Sequence, residues 1–209
     1  MVEIRVEKYL EVGGAKRQFN FTCSLEENDI LGITGPSGCG KTSLLKLIAG
    51  LIDPDFAYIS NGAEILTSTK EGIDCPIDKR SVAMVFQDQA LFPNMTIEEH
   101  IRFVNSGFEK TELERLLLRL GLDKQRNTYP DKLSGGQKQR LAILLALVSD
   151  PQLLLLDEPF TALDDETRDD VLSLLKECVE LKRLPVTLVS HQTAILQQFC
   201  TKLIKLPAL

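Results

Sequence analysis

The sequence predicts an α/β fold with a mainly parallel core sheet, and two stretches of the chain support that prediction. An apolar run at 30–34 precedes a glycine-rich loop and then an amphipathic stretch at 43–49, which is the order strand, loop, helix. The run 153–156 consists of four leucines, and a strand that is apolar on both faces is typical of the centre of a parallel sheet. Because helix and strand patterns alternate again after 165, we predict a single domain over residues 1–209.

The beginning of the chain predicts antiparallel strands instead. Apolar and polar residues alternate over 2–8 and again over 19–25, which indicates two half-buried strands. Short strands are also expected near 57–59 and 63–66. We therefore predict an N-terminal antiparallel β flap beside the main sheet. Tyr9 could leave this flap to stack on a nucleotide base, although a lone aromatic residue of this kind more often belongs to the core.

The glycine-rich loop fits the phosphate-binding pattern G-x-x-x-x-G-K-S/T at every required position. Its glycines allow successive backbone N–H groups to point inward at anionic oxygens, and the following helix adds its positive N-terminal end. Lys41 can then reach the β- and γ-phosphates, and the Thr42 hydroxyl can bind Mg²⁺. The chain is therefore predicted to bind a nucleoside triphosphate through Gly35, Pro36, Ser37, Gly38, Cys39, Gly40, Lys41, Thr42 and Ser43. Oxidation of Cys39 could disturb phosphate binding, but the simpler interpretation of Cys39 is a small residue at a permissive position.

Helices are expected to fill the interval between two of the core strands. A strand at 82–86 ends at Gln87, and two capping-box patterns then begin helices at Thr96 and at Thr111. A longer helix is expected from Gly135 to Ser149. We interpret the region of roughly 90–150 as a helical subdomain inserted into the core.

An acidic pair follows the leucine run, and a second glycine pair precedes the long helix. Asp157, at the carboxyl end of a buried strand, is predicted to hold Mg²⁺, and its neighbour Glu158 to act as a general base. An apolar run with an acidic end is weak evidence for a nucleotide site by itself, but it becomes strong evidence in combination with the phosphate loop.

Ser134 is a good N-cap, and the glycines after it expose backbone N–H groups that could meet a phosphate. An ordinary helix start is the alternative.

Composition excludes several classes of protein. The formal net charge of −6 argues against a nucleic-acid-binding protein. The longest apolar run, 141–148, has eight residues, far fewer than the roughly 20 that a membrane span needs. No signal peptide is evident. Five cysteines are scattered without a C-x-x-C pair, which predicts reduced thiols in a cytosolic protein rather than a disulfide or zinc framework.

The segment Leu133-Ser134-Gly135-Gly136-Gln137 lies between the phosphate loop and the acidic pair, and it resembles the signature motif of ATP-binding-cassette (ABC) ATPases. The resemblance extends over about residues 2–206. It implies an ATPase with Mg²⁺, in which two cassettes form a head-to-tail homodimer and each signature motif acts on the ATP held by the partner. Gln87 resembles the family's glutamine that reaches Mg²⁺ and the attacking water. Ala162-Leu163-Asp164 resembles the D-loop, and His191 resembles the switch histidine. His100 matches nothing and is expected at the surface.

The segment from Lys79 to Thr96 is similar to the importers of the molybdate, sulfate, thiamine and polyamine group. Within that group, the run 61–66 up to Pro76-x-x-Lys79-Arg80 resembles the molybdate importers most. This resemblance implies integral-membrane permease subunits, a solute-binding protein and a peripheral position at the cytoplasmic face of the inner membrane. The C-terminal regulatory domain frequent in this group is not expected. One alternative is a cassette ATPase that acts on nucleic acid or ribosomes, and another is a cassette that binds ATP without turnover.

Overall fold

The computed structural model describes residues 1–12 and 14–208. The described chain forms two five-stranded sheets with helices around one of them. The strands are β1 (Val2–Val12), β2 (Ala15–Leu25), β3 (Ile30–Thr34), β4 (Phe56–Asn61), β5 (Glu64–Ser68), β6 (Ile73–Asp74), β7 (Val82–Val85), β8 (Leu153–Asp157), β9 (Val186–Val189) and β10 (Lys202–Lys205). The α-helices are α1 (Lys41–Ala49), α2 (Ile97–Val104), α3 (Lys110–Arg119), α4 (Gly135–Val148), α5 (Asp165–Lys182) and α6 (Thr193–Phe199).

The core sheet has the order β10-β3-β9-β8-β7, and all its neighbouring strands are parallel. Every residue of β8 is buried, as its leucine run predicts. Leu154 and Leu156 pack into one hydrophobic cluster with the helices α2 to α5, whereas Leu153 and Leu155 pack into a second cluster with α1 and the other sheet. Both faces of the sheet are therefore covered, and its carboxyl edge is left to carry polar side chains.

The other sheet is antiparallel and has the order β2-β1-β4-β5-β6. Its long hairpin β1–β2 pairs from Val2 with Leu25 to Val12 with Ala15. This confirms the predicted flap, and the two short strands expected near 57–59 and 63–66 are β4 and β5 of the same sheet. The inward residues Val2, Ile4 and Val6 are buried against α1 and the core strands.

The chain between β7 and β8 forms helices and no strand. Thr96 caps α2 through the predicted capping box. The capping box predicted at Thr111 is wrong: α3 begins at Lys110, because the Glu109 carboxylate accepts hydrogen bonds from the backbone N–H groups of Thr111 (2.8 Å) and Glu112 (2.6 Å). These helices share one hydrophobic cluster with the core sheet, and their assignment to an inserted subdomain stays a prediction.

His100 was expected at the surface, and that expectation is wrong. The side chain is buried in α2, where Nε2 accepts a hydrogen bond from the Phe92 backbone N–H at 3.0 Å and Nδ1 lies 2.8 Å from the Thr96 carbonyl oxygen. The Nδ1–H tautomer of a neutral ring satisfies both contacts. His100 therefore fixes the segment that follows Gln87 to the first helix of the helical region.

Arg80 lies between α1 and the strand β7, and its side chain is only 2% exposed. The guanidinium donates to the carbonyl oxygens of Cys75 (2.7 Å) and Ile48 (3.3 Å) and to Asp74 Oδ1 (2.6 Å). It also lies against Gly50, where an added Cβ would come within 2.4 Å of the Arg80 Cζ atom. Arg80 thus joins the end of the phosphate-loop helix to the segment that enters β7.

Among the described residues, no helix combines the length and the apolar character that crossing a membrane requires.

Candidate nucleotide site

The phosphate loop connects β3 to α1 as predicted. Gly40 adopts a left-handed conformation (φ 93°) directly before the helix, and an added Cβ there would lie 3.0 Å from Leu10 and 3.1 Å from Phe19. Glycine is therefore required at this position by both backbone and space. The Lys41 side chain is 7% exposed, and Nζ donates to the carbonyl oxygens of Gly35 (2.9 Å) and Pro36 (3.0 Å). These bonds hold the ammonium group along the loop.

The N-terminus of α1 is a ready anion site. No side chain caps it, and its first turn contains no acidic residue. Its first backbone N–H groups are therefore not used by a capping side chain and point toward the loop. Thr42 and Ser43 lie in this first turn and line the cavity above it. A polyphosphate would meet N–H donors and the positive end of the helix dipole here.

Asp157 ends β8 beside the phosphate loop and is 2% exposed. Its Oδ1 atom is buried and has no hydrogen-bond partner in the described chain. Burial raises the pKa of the carboxyl group above its ordinary value, and a hydrogen bond with Thr42 and the charges of Lys46 and Lys41 oppose that rise. A buried carboxylate with a free oxygen, next to a hydroxyl group, has the donor chemistry of a Mg²⁺ ligand.

Glu158 follows in a left-handed backbone conformation (φ 49°) that is unusual for a residue other than glycine. Its backbone N–H donates to the Val189 carbonyl oxygen at 3.0 Å, and Oε2 accepts from the Ser190 hydroxyl at 3.2 Å. The other oxygen, Oε1, has no hydrogen-bond partner among the described residues and lies 3.5 Å from His191 Nε2. Burial raises the pKa of Glu158, and His191 and Ser190 oppose that rise. The strained turn therefore presents one carboxylate oxygen that is held and one that is available.

These groups surround a single cavity of about 340 Å³. It brings together residues from four parts of the chain: the phosphate loop, the carboxyl ends of the core strands, the segment after β7, and the hairpin β1–β2. A second cavity of about 280 Å³ shares Thr42, Gln87 and Asp157 with the first. The residues that line the first cavity are Leu10, Glu11, Ser37, Gly38, Gly40, Lys41, Thr42, Ser43, Gln87, Asp157, Glu158, Val189 and His191.

Three residues of the predicted loop do not line this cavity. Gly35 and Pro36 contribute carbonyl oxygens to Lys41 instead. Cys39 is buried beneath the loop, where its sulfur atom lies 2.8 Å from the position of an added Cβ at Gly35. This placement agrees with the simpler interpretation of Cys39 as a small residue that fills space.

The signature segment lies elsewhere, and its residues Ser134 and Gly135 are exposed. Ser134 caps α4, and its capping box with Gln137 joins each side chain to the other residue's backbone N–H. An added Cβ at Gly136 would lie 3.0 Å from the carbonyl oxygen of Ala162, so the signature and the D-loop are in contact. Asp164 caps α5, and hydrogen bonds from Thr167 lower its pKa. None of the predicted residues Ser134, Gly135, Gly136, Gln137 and Asp164 lines the cavity.

Sequence reasoning missed several residues that line the two cavities or hold a residue that does. Ser190 holds Glu158, yet it differs from other serines only in preceding His191. Lys46 lies one helical turn after Thr42 and lines the second cavity. Leu10 and Glu11 belong to the strand β1 and lie more than 20 residues before the phosphate loop in the sequence. Only the helical spacing of Lys46 could have indicated its place.

The fold and the cavity define a P-loop nucleotide-binding protein. A family model described as ABC transporter matches residues 19–161. The chain belongs to the ABC transporter family.

Several curated relatives are similar over most of this chain. A molybdenum import ATP-binding protein ModC from Mesorhizobium japonicum is 35% identical over 181 residues, which cover 85% of this chain and 49% of the relative. ModC from Vibrio cholerae is 40% identical over 162 residues, which cover 78% of this chain and 44% of the relative. A methionine import ATP-binding protein, MetN 2 from Oceanobacillus iheyensis, is 34% identical over 189 residues, which cover 88% of this chain and 55% of the relative. The chain thus spans about half the length of the curated relatives it matches.

Solved structures agree with the fold. The dimeric structure of MJ0796, a bacterial ABC transporter cassette, superposes with a TM-score of 0.84 at 27% identity, covering 99% of this chain and 94% of that one. The dimeric post-hydrolysis state of MJ0796 bound to ADP and Pi gives a TM-score of 0.80 at 28% identity, with the same coverage. The predicted α/β cassette fold is therefore confirmed.

Proposed function

We propose that this chain is the ATP-binding and ATP-hydrolysing subunit of an ABC importer. One observation carries the proposal: Lys41, the buried Asp157 and the strained Glu158 surround the same cavity. The arrangement combines phosphate-binding donors with a metal ligand and a base, which are the three parts that hydrolysis of a nucleoside triphosphate needs. The relatives named as import ATP-binding proteins support the same conclusion.

The phosphates and the metal have distinct ligands in this proposal. Lys41 and the N–H groups of the loop and of α1 hold the β- and γ-phosphates, while Thr42, Asp157 and Gln87 would hold Mg²⁺. The free Oδ1 atom of Asp157 fits that role. Within the described ranges, no group of three or more His, Cys, Asp or Glu side chains could hold a metal alone, which suits Mg²⁺ because it is usually bound by one or two carboxylates together with substrate phosphates and water. The bound ion would neutralise charge on the phosphates.

Glu158 and His191 are proposed to perform the hydrolytic step. The free Oε1 atom of Glu158 accepts a proton from the attacking water, while Ser190 holds Oε2 in place. Since burial raises the pKa of Glu158, its carboxylate is a better base than an exposed one. His191, half-exposed at the rim and beside Oε1, is proposed to contact the γ-phosphate.

A complete site is proposed to require a second copy of the chain. Ser134 and Gly135 are exposed and do not line the cavity, although their glycine-rich helix start has the chemistry of a phosphate ligand. In a head-to-tail homodimer, these residues with Gly136 and Gln137 would cover the ATP held by the partner, and Asp164 would lie at the interface. ATP binding then closes the dimer, and hydrolysis reopens it.

Closure is proposed to move permease subunits that dock near Gln87 at the cytoplasmic face of the membrane. A separate solute-binding protein would deliver the solute. The names of the relatives favour molybdate, or another small oxyanion or solute, as the transported substrate. These names give no support to the alternative of a cassette that acts on nucleic acid or ribosomes. If membranes yield this chain with RNA or ribosomes instead of a hydrophobic permease, the importer proposal is wrong.

The variant Glu158→Gln tests the hydrolytic role. We expect turnover to fall by about 10²–10⁴-fold, the usual contribution of a general base, and an ATP-bound dimer to accumulate in size-exclusion chromatography. Glu166→Gln is a matched control, because Glu166 is an exposed carboxylate in the first turn of α5. A monomeric Glu158→Gln protein with unchanged turnover would refute the proposed role.

Mixing two inactive variants tests the shared site. A heterodimer of a Lys41→Ala chain and a Ser134→Ala chain keeps one intact composite site, formed by the loop of one chain and the signature of the other. We expect this mixture to recover part of the ATP binding that each variant alone lacks in dimer assays. Complete loss of ATP binding in the mixture would contradict the head-to-tail arrangement.

A further inference from the structure

A glutamine is buried in the helix that begins with the signature segment. The Gln139 side chain is 1% exposed, whereas the other buried residues of α4 are apolar. Its Nε2 atom has no hydrogen-bond partner among the described residues. Since burial of an amide group without a partner costs free energy, packing alone does not account for a glutamine at this position.

The Oε1 atom of Gln139 does have a partner, in the segment that follows β7. Gln89 Nε2 donates a hydrogen bond to this oxygen, and the same Nε2 group donates to the Gln87 backbone carbonyl oxygen at 3.3 Å. An amide nitrogen carries two hydrogens, so both bonds can exist together. Gln87, Gln89 and Gln139 thus form a glutamine bridge between the segment after β7 and α4.

Both ends of the glutamine bridge lie beside groups of the proposed site. Gln87 lines the two neighbouring cavities that share Thr42 and Asp157. Gln139 lies four residues after Gly135, about one helical turn from the start of α4. Because a helix moves as a rigid element, a displacement at Gln139 is also a displacement of the signature segment.

We propose that Gln89 and Gln139 are positioning residues, whose amide pair fixes Gln87 relative to the signature segment of the same chain. The inference rests on the proposed function, in which Gln87 acts in its own chain's cavity and the signature segment acts on the ATP of the partner. Because these groups serve different sites of the homodimer, the pair transmits a displacement of Gln87 in one site to the group that covers the other. This role accounts for a buried amide of which only the oxygen is used.

A double-mutant cycle of ATP turnover tests the inference. Gln89→Met and Gln139→Met each remove the amide pair while keeping a side chain of similar length. We expect each variant to lower kcat by about 2- to 12-fold, the equivalent of one neutral hydrogen bond. The affinity for the non-hydrolysable imido analogue of ATP should stay within about twofold, because the phosphate ligands are intact. The double variant should lose no more than the larger single loss, and losses that multiply would overturn the inference.

Hydrogen exchange of the nucleotide-free protein gives a readout that does not depend on turnover. The Leu91 backbone N–H donates to the Gln89 carbonyl oxygen at 2.9 Å, so its exchange rate reports on the order of this segment. Although Gln139 belongs to a different element, we expect Gln139→Met to accelerate exchange at Leu91 by about 2- to 12-fold. An unchanged exchange rate at Leu91 would overturn the inference.

Two further variants control for the substitution itself. Gln139→Glu keeps the side-chain length and an acceptor oxygen for Gln89, so it should recover part of the kcat that Gln139→Met loses. A Gln139→Glu variant no better than Gln139→Met would contradict the role of that oxygen. Gln197→Met is the matched control, because Gln197 is an exposed glutamine of α6. It should leave both kcat and exchange at Leu91 unchanged.

The unaltered chain separates this inference from the proposed function. If it neither binds the ATP analogue nor hydrolyses ATP, the proposed function is wrong and the inference falls with it. If it hydrolyses ATP and the variants at Gln89 and Gln139 behave like Gln197→Met, only the inference is wrong. If Gln139→Met misfolds, Gln89→Met decides the result through kcat and analogue affinity, because Gln89 is only half-buried.

Discussion

Replacing Arg80 with methionine should strongly destabilise the protein, although Arg80 lies outside the cavity. The guanidinium is almost completely buried and donates to the carbonyl oxygens of Ile48 and Cys75. Methionine can fill much of the same volume but can donate to neither oxygen. Because Ile48 belongs to the buried end of α1, its carbonyl oxygen would lose its partner without gaining water.

The size of the effect follows from these contacts. Hydrogen bonds from a charged donor contribute about 1.5–3 kcal/mol each, and two are lost to buried or half-buried carbonyl groups. Burial of the methionine side chain offsets about 1.5–3 kcal/mol of that loss. We therefore expect a decrease in the free energy of unfolding of about 1.5–3 kcal/mol, which urea denaturation would show as a midpoint lower by about 0.5–1.5 M.

The matched control is Asp74→Asn. Asp74 is the exposed partner of the same guanidinium, and breaking a solvent-exposed ion pair costs at most about 1 kcal/mol. If the free energy of unfolding of Arg80→Met lies within about 1 kcal/mol of that of the unaltered protein, the hydrogen bonds to the two carbonyl groups do not contribute the expected stability. The same conclusion follows if Asp74→Asn lowers the free energy of unfolding as much as Arg80→Met.

Three further predictions concern other buried or paired groups. Asp157→Asn should raise the melting temperature of the nucleotide-free protein in EDTA by about 1–8 °C, because it removes a buried carboxylate whose Oδ1 atom has no hydrogen-bond partner in the described chain; a lower melting temperature would contradict this. His100→Ala should lower the free energy of unfolding by about 1–3 kcal/mol in urea denaturation and leave nucleotide affinity unchanged; a neutral effect would contradict the role of its two hydrogen bonds. Burial alone would raise the pKa of Asp29, but hydrogen bonds from Lys202 and the Glu26 backbone lower it overall. That stabilisation is present at neutral pH and is lost as pH falls through the lowered pKa. Asp29→Asn should therefore cost about 1 kcal/mol at pH 7 and progressively less in acid, and a difference that does not change with pH would contradict this.

The core sheet can be predicted from the sequence because its strands have apolar patterns that are visible locally. The four leucines of β8 are buried on both faces, as an apolar run at the centre of a parallel sheet should be. The phosphate loop is equally local, since glycine positions, lysine and helix lie within 15 residues of each other. Helix starts are less certain: both Glu109 and Thr111 can cap, and the backbone around Glu109 decides between them.

Contacts between distant segments lie beyond the reach of sequence patterns. Helical spacing places His100 on the same face of α2 as Ile97 and Ile101, but the Phe92 backbone group that makes it a buried acceptor is brought there by the path of the chain. Leu10 alternates like any strand residue, and its place at the cavity depends on how the hairpin crosses the phosphate loop. The Ser190 hydroxyl can donate a hydrogen bond to Glu158 because β8 and β9 are neighbouring strands. Each of these facts is tertiary, whereas the motifs are local.

The parallel sheet explains why so few motifs suffice to build this cavity. Strands β3, β9, β8 and β7 are adjacent and run in the same direction, so the residues that follow them reach the same edge. That edge receives the phosphate loop after β3, Asp157 and Glu158 from β8, His191 after β9 and Gln87 after β7. The signature segment follows no core strand; it begins α4, after the helical region. It therefore lies outside the edge that the sheet organises. The proposed head-to-tail homodimer would use this separation, because one surface presents the residues around the cavity and another presents the groups proposed to complete the site of the partner.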